Sequence, residues 1–444
     1  MKRIGLPFAL PLLLMLCTLA LLSACQKKTS TEDLAGVHAD SALASDPAQI
    51  ARGEYLAKAG DCAACHDAAD HTPYAGGMPV NSPFGPIYAS NITPDSTFGI
   101  GRYSLRQFAY VLRSGERPDG KRLYPAMPYP SFAKLNDEDV TALYAYFMHG
   151  VKPSTNRAPE TRLPFPFNQR WAMFFWSRLF GNHEQYVPDA RRSAEWNRGA
   201  YLVEGLGHCG ACHTPRGPAY NELGYDFKSD RYLTGADNDN WFAPNLTGDG
   251  GSGLGRWSRE QIAAFLRNGH GAGATAFGAM APVVADSTEH LSSTDLRAIA
   301  VFLKSLPAQN RSGTFDNNLH SRVLTARAME SGELERPGAG IYLSYCARCH
   351  RADGLGQSEK APALAGNPLV MASDATSAIR IVIEGSESPK IDGEPKPQQM
   401  PGFNDQLTTT EMAEVVSFIR NTWGNHAAPV SDRDVRTLRL AIHK

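Results

Sequence analysis

Three short motifs in this chain combine two thiols with an imidazole at a fixed spacing. The chain has 444 residues and eight cysteines, and six of the cysteines form Cys-x-x-Cys pairs that are each followed directly by histidine. The motifs are Cys62/Cys65/His66, Cys209/Cys212/His213 and Cys346/Cys349/His350. The two other cysteines, Cys17 and Cys25, lie near the N-terminus, so none remains for a structural disulfide.

Cys-x-x-Cys-His is the attachment signature of c-type haem. Its spacing lets both thiols form thioethers with one porphyrin, while the adjacent histidine ligates the iron from the same side. A single copy could also be a redox dithiol or half of a zinc site. Zinc would need further ligands nearby, and a redox dithiol is not expected three times with histidine. The pattern therefore predicts three covalently attached haem c groups.

The second axial ligand is expected to be methionine, because a thioether favours ferrous iron and raises the reduction potential. One methionine follows each motif in a proline-containing loop, 61, 67 and 50 residues after the histidine: Met127, Met280 and Met400. Methionine is also a common core residue. Four others therefore compete as ligands: Met78, Met148, Met371 and Met412. The repeated loop setting favours the first three, and no catalytic group is predicted.

The helices that must position these residues also recur three times. A terminal helix is predicted after each of three polar N-caps, with an acidic residue three positions later: Asn136, Ser292 and Thr408. Before each motif, a helix carries Gly-x-Tyr-Leu, beginning at Gly53, Gly199 and Gly340. A glycine beside an aromatic residue suits two closely crossing helices. Residues 91–115 and 245–269 also align without gaps, with 12 of 25 positions identical.

This repetition predicts a mainly α fold of three tandem class I cytochrome c domains joined by irregular linkers. The predicted domains span 50–150, 196–308 and 335–425. The remaining parts are a signal peptide at 1–24, a tether at 25–49, a linker with an aromatic helix at 151–195, a looser linker at 309–334 and a tail at 426–444. The third unit is the smallest, and its haem is expected to be the most exposed.

The N-terminus has the pattern of an export signal. Lys2 and Arg3 precede an apolar run from Ile4 to Leu22, which small residues follow. Leu22-Ser23-Ala24-Cys25 resembles a bacterial lipobox, which implies lipidation of Cys25 and a lipid-anchored protein on the periplasmic side of a Gram-negative membrane. An ordinary signal peptide with an incidental cysteine is the alternative. The apolar run is short for a spanning helix.

The linker segment 170–180 is unusually aromatic. Its aromatic residues include Trp171, Phe174, Phe175, Trp176 and Phe180. A helix this rich in aromatic residues is expected to pack against another surface. Packing between the first two haem domains is one possible cover, and a partner subunit or the membrane surface is the other. The formal net charge of −1 gives no basic footprint for nucleic acid.

Three stretches carry a resemblance to a known family: 124–130 (YPAMPYP), 193–216 around the second motif, and 243–247 (APNLT). Through them, residues 50–425 resemble the cytochrome c subunits of bacterial membrane-bound dehydrogenases, which serve the oxidation of alcohol, gluconate, sorbitol and fructose. The resemblance implies electron transfer from a flavin- or PQQ-dependent dehydrogenase subunit to ubiquinone or to a downstream cytochrome or oxidase. Many relatives hold the membrane through a C-terminal apolar or amphipathic segment, whereas residues 425–444 here are short and polar.

Two other functions remain open at this point. A free relay could serve an oxidase or a molybdenum hydroxylase. A haem enzyme of the peroxidase or thiosulfate-oxidiser type would need one haem with an open distal position, which three methionine loops disfavour.

Overall fold

A computed structural model describes residues 45–309, 312–357, 361–393 and 397–442. The predicted signal peptide, Cys25 and most of the tether lie outside the described residues. The described residues belong to one compact unit and are largely helical, so the expectation of a mainly α chain is confirmed. Within this described part, no helix is both long enough and apolar enough to span a bilayer.

The helices are α1 Pro47–Ala59, α2 Cys62–His66, α3 Leu105–Ser114, α4 Tyr129–Phe132, α5 Asp137–Ala145, α6 Ala172–Phe180, α7 Ala194–Tyr201, α8 Gly210–His213, α9 Arg259–Asn268, α10 Met280–Asp286, α11 Ser293–Ser305, α12 Leu319–Glu330, α13 Ala339–Tyr345, α14 Ala347–His350, α15 Thr376–Glu384, α16 Thr409–Arg420 and α17 Asp432–Ile442. Single π-helical turns extend α5 and α7, at Tyr146–Gly150 and Leu202–Leu206, and a 3₁₀ turn spans Thr288–His290.

Short antiparallel strand pairs connect the helices. The strands are β1 Pro79–Val80, β2 Ile87–Tyr88, β3 Ala236–Asn238, β4 Trp241–Ala243, β5 His270–Gly271, β6 Ala274–Thr275, β7 Thr314–Phe315, β8 Gly385–Glu387, β9 Gln399–Pro401 and β10 Asn425–His426. They pair as β1–β2, β3–β4, β5–β6, β8–β9 and β7–β10.

One helix crossing occurs three times: α1 on α5, α7 on α11 and α13 on α16. At each crossing a glycine lies against a carbonyl oxygen, and a Cβ on it would meet that oxygen at 1.9 Å, 2.0 Å and 2.4 Å: Gly53 on Ala142, Gly199 on Ala298 and Gly338 on Glu414. An aromatic residue stands four positions after each carbonyl: Tyr146, Phe302 and Phe418. Only glycine allows this approach of the two backbones.

The prediction of the contact glycine in the third copy was wrong by two residues. Gly340 has nothing within 4 Å of the place where a Cβ would stand, whereas Gly338 contacts the carbonyl of Glu414. The Gly-x-Tyr-Leu pattern therefore matches the third copy in letters but not in register. With Gly338 as the contact residue, the three glycines lie nine, ten and eight residues before the first motif cysteine, so the helices differ little in length.

The aligned stretches of the first two copies fold alike. Helices α3 and α9 both begin with a capping box, in which Ser104 pairs with Gln107 and Ser258 with Gln261. Both end at a left-handed glycine, Gly115 at φ 66° and Gly269 at φ 77°. The terminal helices also begin as predicted, because Asn136, Ser292 and Thr408 each accept the backbone N–H three residues later.

Two segments that we expected to be irregular are ordered around the third unit. The linker 309–334 contains α12, whose Met329 is 1% exposed in the third core. The expected tail 426–444 contains α17, which buries Val435 and Leu438 in the same core. Both expectations were wrong because the two segments are mostly polar, and the few apolar residues at helical spacing were not recognised as the buried face of a helix. The tether is also shorter than predicted, because Asp46 caps α1.

Candidate haem sites

Each Cys-x-x-Cys-His motif forms a short helical turn directly after the first helix of its repeat. The turns are α2, α8 and α14, and the histidine is the last helical residue of each one. The helical turn brings the two cysteines of a motif to the same side as the histidine. In the described part of the chain the six motif cysteines are unpaired thiols.

The three histidines make equivalent hydrogen bonds. Nδ1 of His66 lies 2.7 Å from the carbonyl oxygen of Ser90, Nδ1 of His213 lies 2.7 Å from that of Pro244, and Nδ1 of His350 lies 2.9 Å from that of Pro362. A carbonyl only accepts, so Nδ1 carries the proton in each ring. Nε2 is then left with its lone pair, and the hydrogen bond to the carbonyl fixes the orientation of the ring, as is usual for a histidine that ligates a metal.

Burial acts on the protonation of the same rings. It lowers the pKa of His66, His213 and His350 below the ordinary value, against the smaller raising effect of the carbonyl hydrogen bonds. The neutral imidazole is the form that ligates iron. The structure therefore prepares three histidines in the correct tautomer and protonation state for a metal on Nε2.

The motif thiols do not have the properties of a redox dithiol. Burial raises the pKa of Cys62 to about 12, of Cys65 to about 11 and of Cys209 to about 12. It also raises the pKa of Cys346 to about 12. Reactive cysteines have a lowered pKa, because the thiolate is the nucleophile. These four thiols therefore differ from the reactive cysteine of a redox dithiol.

The three predicted methionines are all half-buried and stand in different local structures. Met127 lies in a tight turn, in which its N–H donates to Tyr124 and its carbonyl accepts from Tyr129. Met280 begins α10, and Met400 lies in β9 opposite Ser386, against the third core. Helix α10 also contacts α2. The helix that begins with Met280 of the second repeat therefore packs on the first haem motif.

The competing methionines differ in their burial. Met371 and Met412 are fully buried, and Met412 belongs to the third core. Met78 and Met148 are half-buried. Full burial among apolar side chains is the setting of a packing residue.

An Asn-x-Thr sequence begins each of the aligned stretches 91–115 and 245–269. Its asparagine binds the segment of chain that follows the repeat. The side-chain amide of Asn91 donates to the carbonyls of Ser154 and Asn156, and that of Asn245 donates to Gln309. Their side-chain oxygens accept the N–H of the threonine two residues later. Both asparagines are therefore used in clamping the chain that leaves each repeat.

Sequence reasoning missed how the first two repeats join. The hydroxyl of Tyr55 donates to Asp295 of the second repeat at 2.6 Å, and that of Tyr201 donates back to Asp139 of the first repeat at 2.6 Å. We call these two bonds the crossed tyrosine pairs. Within each repeat an arginine also binds the same carboxylate: Arg52 on Asp139 and Arg198 on Asp295. The recurrence of arginine, tyrosine and aspartate in both copies was the available signal.

Further contacts bring the first two motifs close to each other. Nε2 of His208, the residue before Cys209, lies 3.2 Å from the carbonyl oxygen of Gly60, two residues before Cys62. The His208 ring also meets Phe132 edge-on at 5.6 Å. A buried ion pair at 2.8 Å joins Lys134 to Glu204 across the same interface. His208 is therefore an interface residue between the first two repeats.

Comparison with known proteins places the chain in a class. A family model for cytochrome c matches residues 50–150 and 336–423, which contain the first and third motifs. The helix pairs and the motif turns therefore belong to a c-type cytochrome, and the class binds haem c covalently through Cys-x-x-Cys-His.

Full-length relatives narrow the class to a family. The chain is 45% identical over 405 residues to the alcohol dehydrogenase (quinone) cytochrome c subunit of Gluconobacter oxydans, covering 89% of this chain and 83% of that protein. It is 45% identical over 408 residues to the gluconate 2-dehydrogenase cytochrome c subunit of Pantoea cypripedii, covering 90% and 92%. It is 39% identical over 410 residues to the fructose dehydrogenase cytochrome subunit of Gluconobacter japonicus, covering 88% and 82%. The chain belongs to this family of dehydrogenase cytochrome c subunits.

Proposed function

We propose that the chain binds three haem c groups, one in each repeat, and works as an electron-transfer subunit. The attachment residues are Cys62 and Cys65, Cys209 and Cys212, and Cys346 and Cys349. The axial ligands are His66 with Met127, His213 with Met280, and His350 with Met400. Bound haem supplies one-electron chemistry, and the protein supplies covalent attachment, ligands and a low-dielectric setting.

The observation that carries the proposal is the threefold histidine arrangement. Three motif histidines that lie far apart in sequence all donate Nδ1–H to a downstream carbonyl and keep Nε2 free. A structural histidine has no reason to repeat this geometry directly after two cysteines three times. The equivalent helix crossings at Gly53, Gly199 and Gly338 support three cytochrome domains over 50–150, 196–308 and 335–425.

We propose that the electrons come from a partner dehydrogenase, flavin- or PQQ-dependent, that oxidises CH–OH groups. The named relatives are subunits of alcohol, gluconate and fructose dehydrogenases, which supports this partner class. The acceptor is ubiquinone or a downstream respiratory cytochrome or oxidase. The protein works on the periplasmic side of a Gram-negative membrane, held there by a lipid on Cys25.

The test of electron transfer is the reduction of the purified holoprotein by a dehydrogenase of this class. The protein is mixed anaerobically with a purified flavin- or PQQ-dependent dehydrogenase and its alcohol or sugar substrate, and the haem α-band is followed in a stopped-flow instrument. Rapid reduction that needs both enzyme and substrate is expected. Unchanged oxidised haem under these conditions would refute the proposal, and a high-spin spectrum with peroxidase turnover would point to the haem-enzyme alternative.

The methionine assignments are tested separately by single substitutions. Met127→Leu, Met280→Leu and Met400→Leu should each remove the thioether ligand from one haem and lower its midpoint potential. Met148→Leu serves as the matched control and should leave the redox titration unchanged. If a leucine at one of the three assigned positions leaves every midpoint unchanged, that ligand assignment is wrong.

A further inference from the structure

The aromatic helix α6 presents an apolar stripe to solvent. Trp171, Phe174, Phe175 and Leu179 are 67%, 51%, 56% and 72% exposed, and they stand at i, i+3, i+4 and i+8. This spacing places all four on one face of the helix. The opposite face is used inside the protein, where Trp176 is buried and its indole N–H donates to the carbonyl of Ala219. Packing between the repeats therefore covers only half of the aromatic segment.

Two more exposed aromatic residues precede the helix in the chain. Phe165 and Phe167 are 78% and 44% exposed, and the Phe167 ring stacks on Phe84 at 4.2 Å. Within the stripe, Phe175 meets Trp171 at 6.2 Å and Phe174 at 5.3 Å. We call the exposed residues Phe165, Phe167, Trp171, Phe174, Phe175 and Leu179 the aromatic face. A group of exposed apolar residues of this kind marks an interaction site.

The segment that carries the aromatic face is basic, and Glu160 and Glu184 lie just outside its two ends. Residues 161–183 contain three arginines and no aspartate or glutamate. Arg178 is exposed on α6, and Arg170 lies with its guanidinium 4.4 Å from the Tyr124 ring centroid. Arg162 is exposed and stands 3.6 Å from Glu160, just outside the segment. Arg122 covers Phe174 at 5.1 Å while it pairs with Glu116.

We propose that the aromatic face docks on an anionic lipid bilayer, with α6 lying in the plane of the interface. Helices that lie in this plane place Trp, Phe and Leu below the headgroups and extend arginine side chains to the phosphates. A run of 23 residues with three arginines and no carboxylate complements an anionic lipid surface. The proposal extends the membrane location given above, but it requires neither the lipid on Cys25 nor the number of haems.

Docking in this way has a consequence for the first repeat. The hydroxyl of Tyr124 donates to the carbonyl of Phe167 at 3.0 Å, and Tyr129 meets Trp176 at 6.3 Å. Met127 lies between those two tyrosines, so its loop stands directly beside the aromatic segment. The first repeat would then face the bilayer with the loop that holds its proposed axial methionine, which suits an acceptor dissolved in the membrane.

The test is hydrogen exchange of the full-length holoprotein with and without vesicles, read by mass spectrometry. With vesicles that contain phosphatidylglycerol, peptides from 165–181 should exchange more slowly, and peptides from α12 should not change. The readout is local to α6, so a lipid tether elsewhere cannot produce it. Pure phosphatidylcholine vesicles or high salt should reduce the protection.

Matched variants distinguish docking through the aromatic face from nonspecific adsorption through other exposed apolar residues. The triple variant W171S/F174S/F175S should lose the vesicle-induced protection of 165–181. The control L319S/V323S/L324S removes three exposed apolar residues of α12 and should keep it. Exchange that vesicles leave unchanged would overturn the proposal. Protection that appears only when the partner dehydrogenase is added would also overturn it, because the face would then be a subunit interface.

Discussion

The first two repeats and the third repeat are joined to their neighbours in different ways. The first two repeats exchange equivalent contacts, because each gives a tyrosine hydroxyl to the aspartate of the other. Among the described residues, the third unit makes no such exchange. Instead, the β3–β4 hairpin of the second repeat packs on α15, where Ser377 bonds both the N–H and the carbonyl of Phe242.

Charged groups show the same contrast. Between the first two repeats, Lys134 and Glu204 form a buried ion pair. At the third unit, Arg380 stacks on Trp241 at 4.3 Å and donates to the carbonyls of Asp239 and Asn240. The difference indicates that the first two repeats form a quasi-symmetric pair, whereas the third is attached by contacts that are not exchanged in this way. Four predictions test this distinction.

The largest effect is expected at the helix crossings. Gly199→Ala would place a Cβ 2.0 Å from the carbonyl oxygen of Ala298, so α7 and α11 must separate. We expect a loss of about 4 kcal/mol or more in the free energy of unfolding, measured by urea denaturation with far-UV circular dichroism. Gly340→Ala is the control in the third unit, where no atom lies within 4 Å. It should be neutral or stabilising by about 0.5–1 kcal/mol, and a large loss there would contradict the Gly338 register.

The crossed tyrosine pairs should be unequal in energy. Tyr201→Phe leaves Oδ2 of Asp139 without its donor, and Asp139 is 1% exposed, so a loss of about 1–3 kcal/mol is expected. Tyr55→Phe should cost less, because Arg198 donates to both oxygens of Asp295. Tyr345→Phe, at an exposed position, is the control. Equal losses of unfolding free energy for the two variants would show that Arg198 does not compensate for the loss of the Tyr55 hydroxyl.

The attachment of the third unit should depend on Ser377. Ser377→Ala leaves the N–H and the carbonyl of Phe242 unpaired in a buried place, and a loss of about 1–2 kcal/mol is expected. Hydrogen exchange should accelerate in β3, β4 and α15, while α1 and α7 remain protected. Faster exchange in α1 and α7 as well would mean that the three repeats open as one unit.

The smallest effect is a pH dependence at the same contact. Burial and the charge of Asp374 raise the pKa of Asp237 from 3.8 to about 6. The folded state therefore holds this proton more tightly than the unfolded state, so its stabilising contribution is complete below about pH 4 and is lost as the pH rises through about 6. Asp237 is only partly removed from solvent, so the effect should be small. Urea midpoints measured at about pH 4.5 and about pH 7, near the two ends of this titration, should show a difference that Asp237→Asn removes.

Local patterns predicted much of the fold and of the candidate sites. The N-caps at Asn136, Ser292 and Thr408 depend on a few neighbouring residues, and the structure confirms them. The motif turns were predictable for the same reason. The Gly338 register was not, because two glycines two residues apart offer equal local signals and only the contact with Glu414 distinguishes them.

Long-range contacts could not be predicted from the sequence. Tyr55 and Asp295 are 240 residues apart, so no local pattern relates them. Helix α17 had a usable signal in Val435, Leu438 and Ile442, but its many charged residues made the segment read as a tail. The three carbonyl partners of the motif histidines lie 24, 31 and 12 residues downstream, a spacing that is too variable for prediction.

The central claim is that each of the three motifs carries a haem. Intact-mass spectrometry of the mature holoprotein, combined with a pyridine haemochrome assay on the same sample, tests it most directly. Three porphyrins per polypeptide, falling to two in the variants Cys65→Ser, Cys212→Ser and Cys349→Ser taken one at a time, are the predicted result. Two or fewer porphyrins in the unmodified protein would contradict the account.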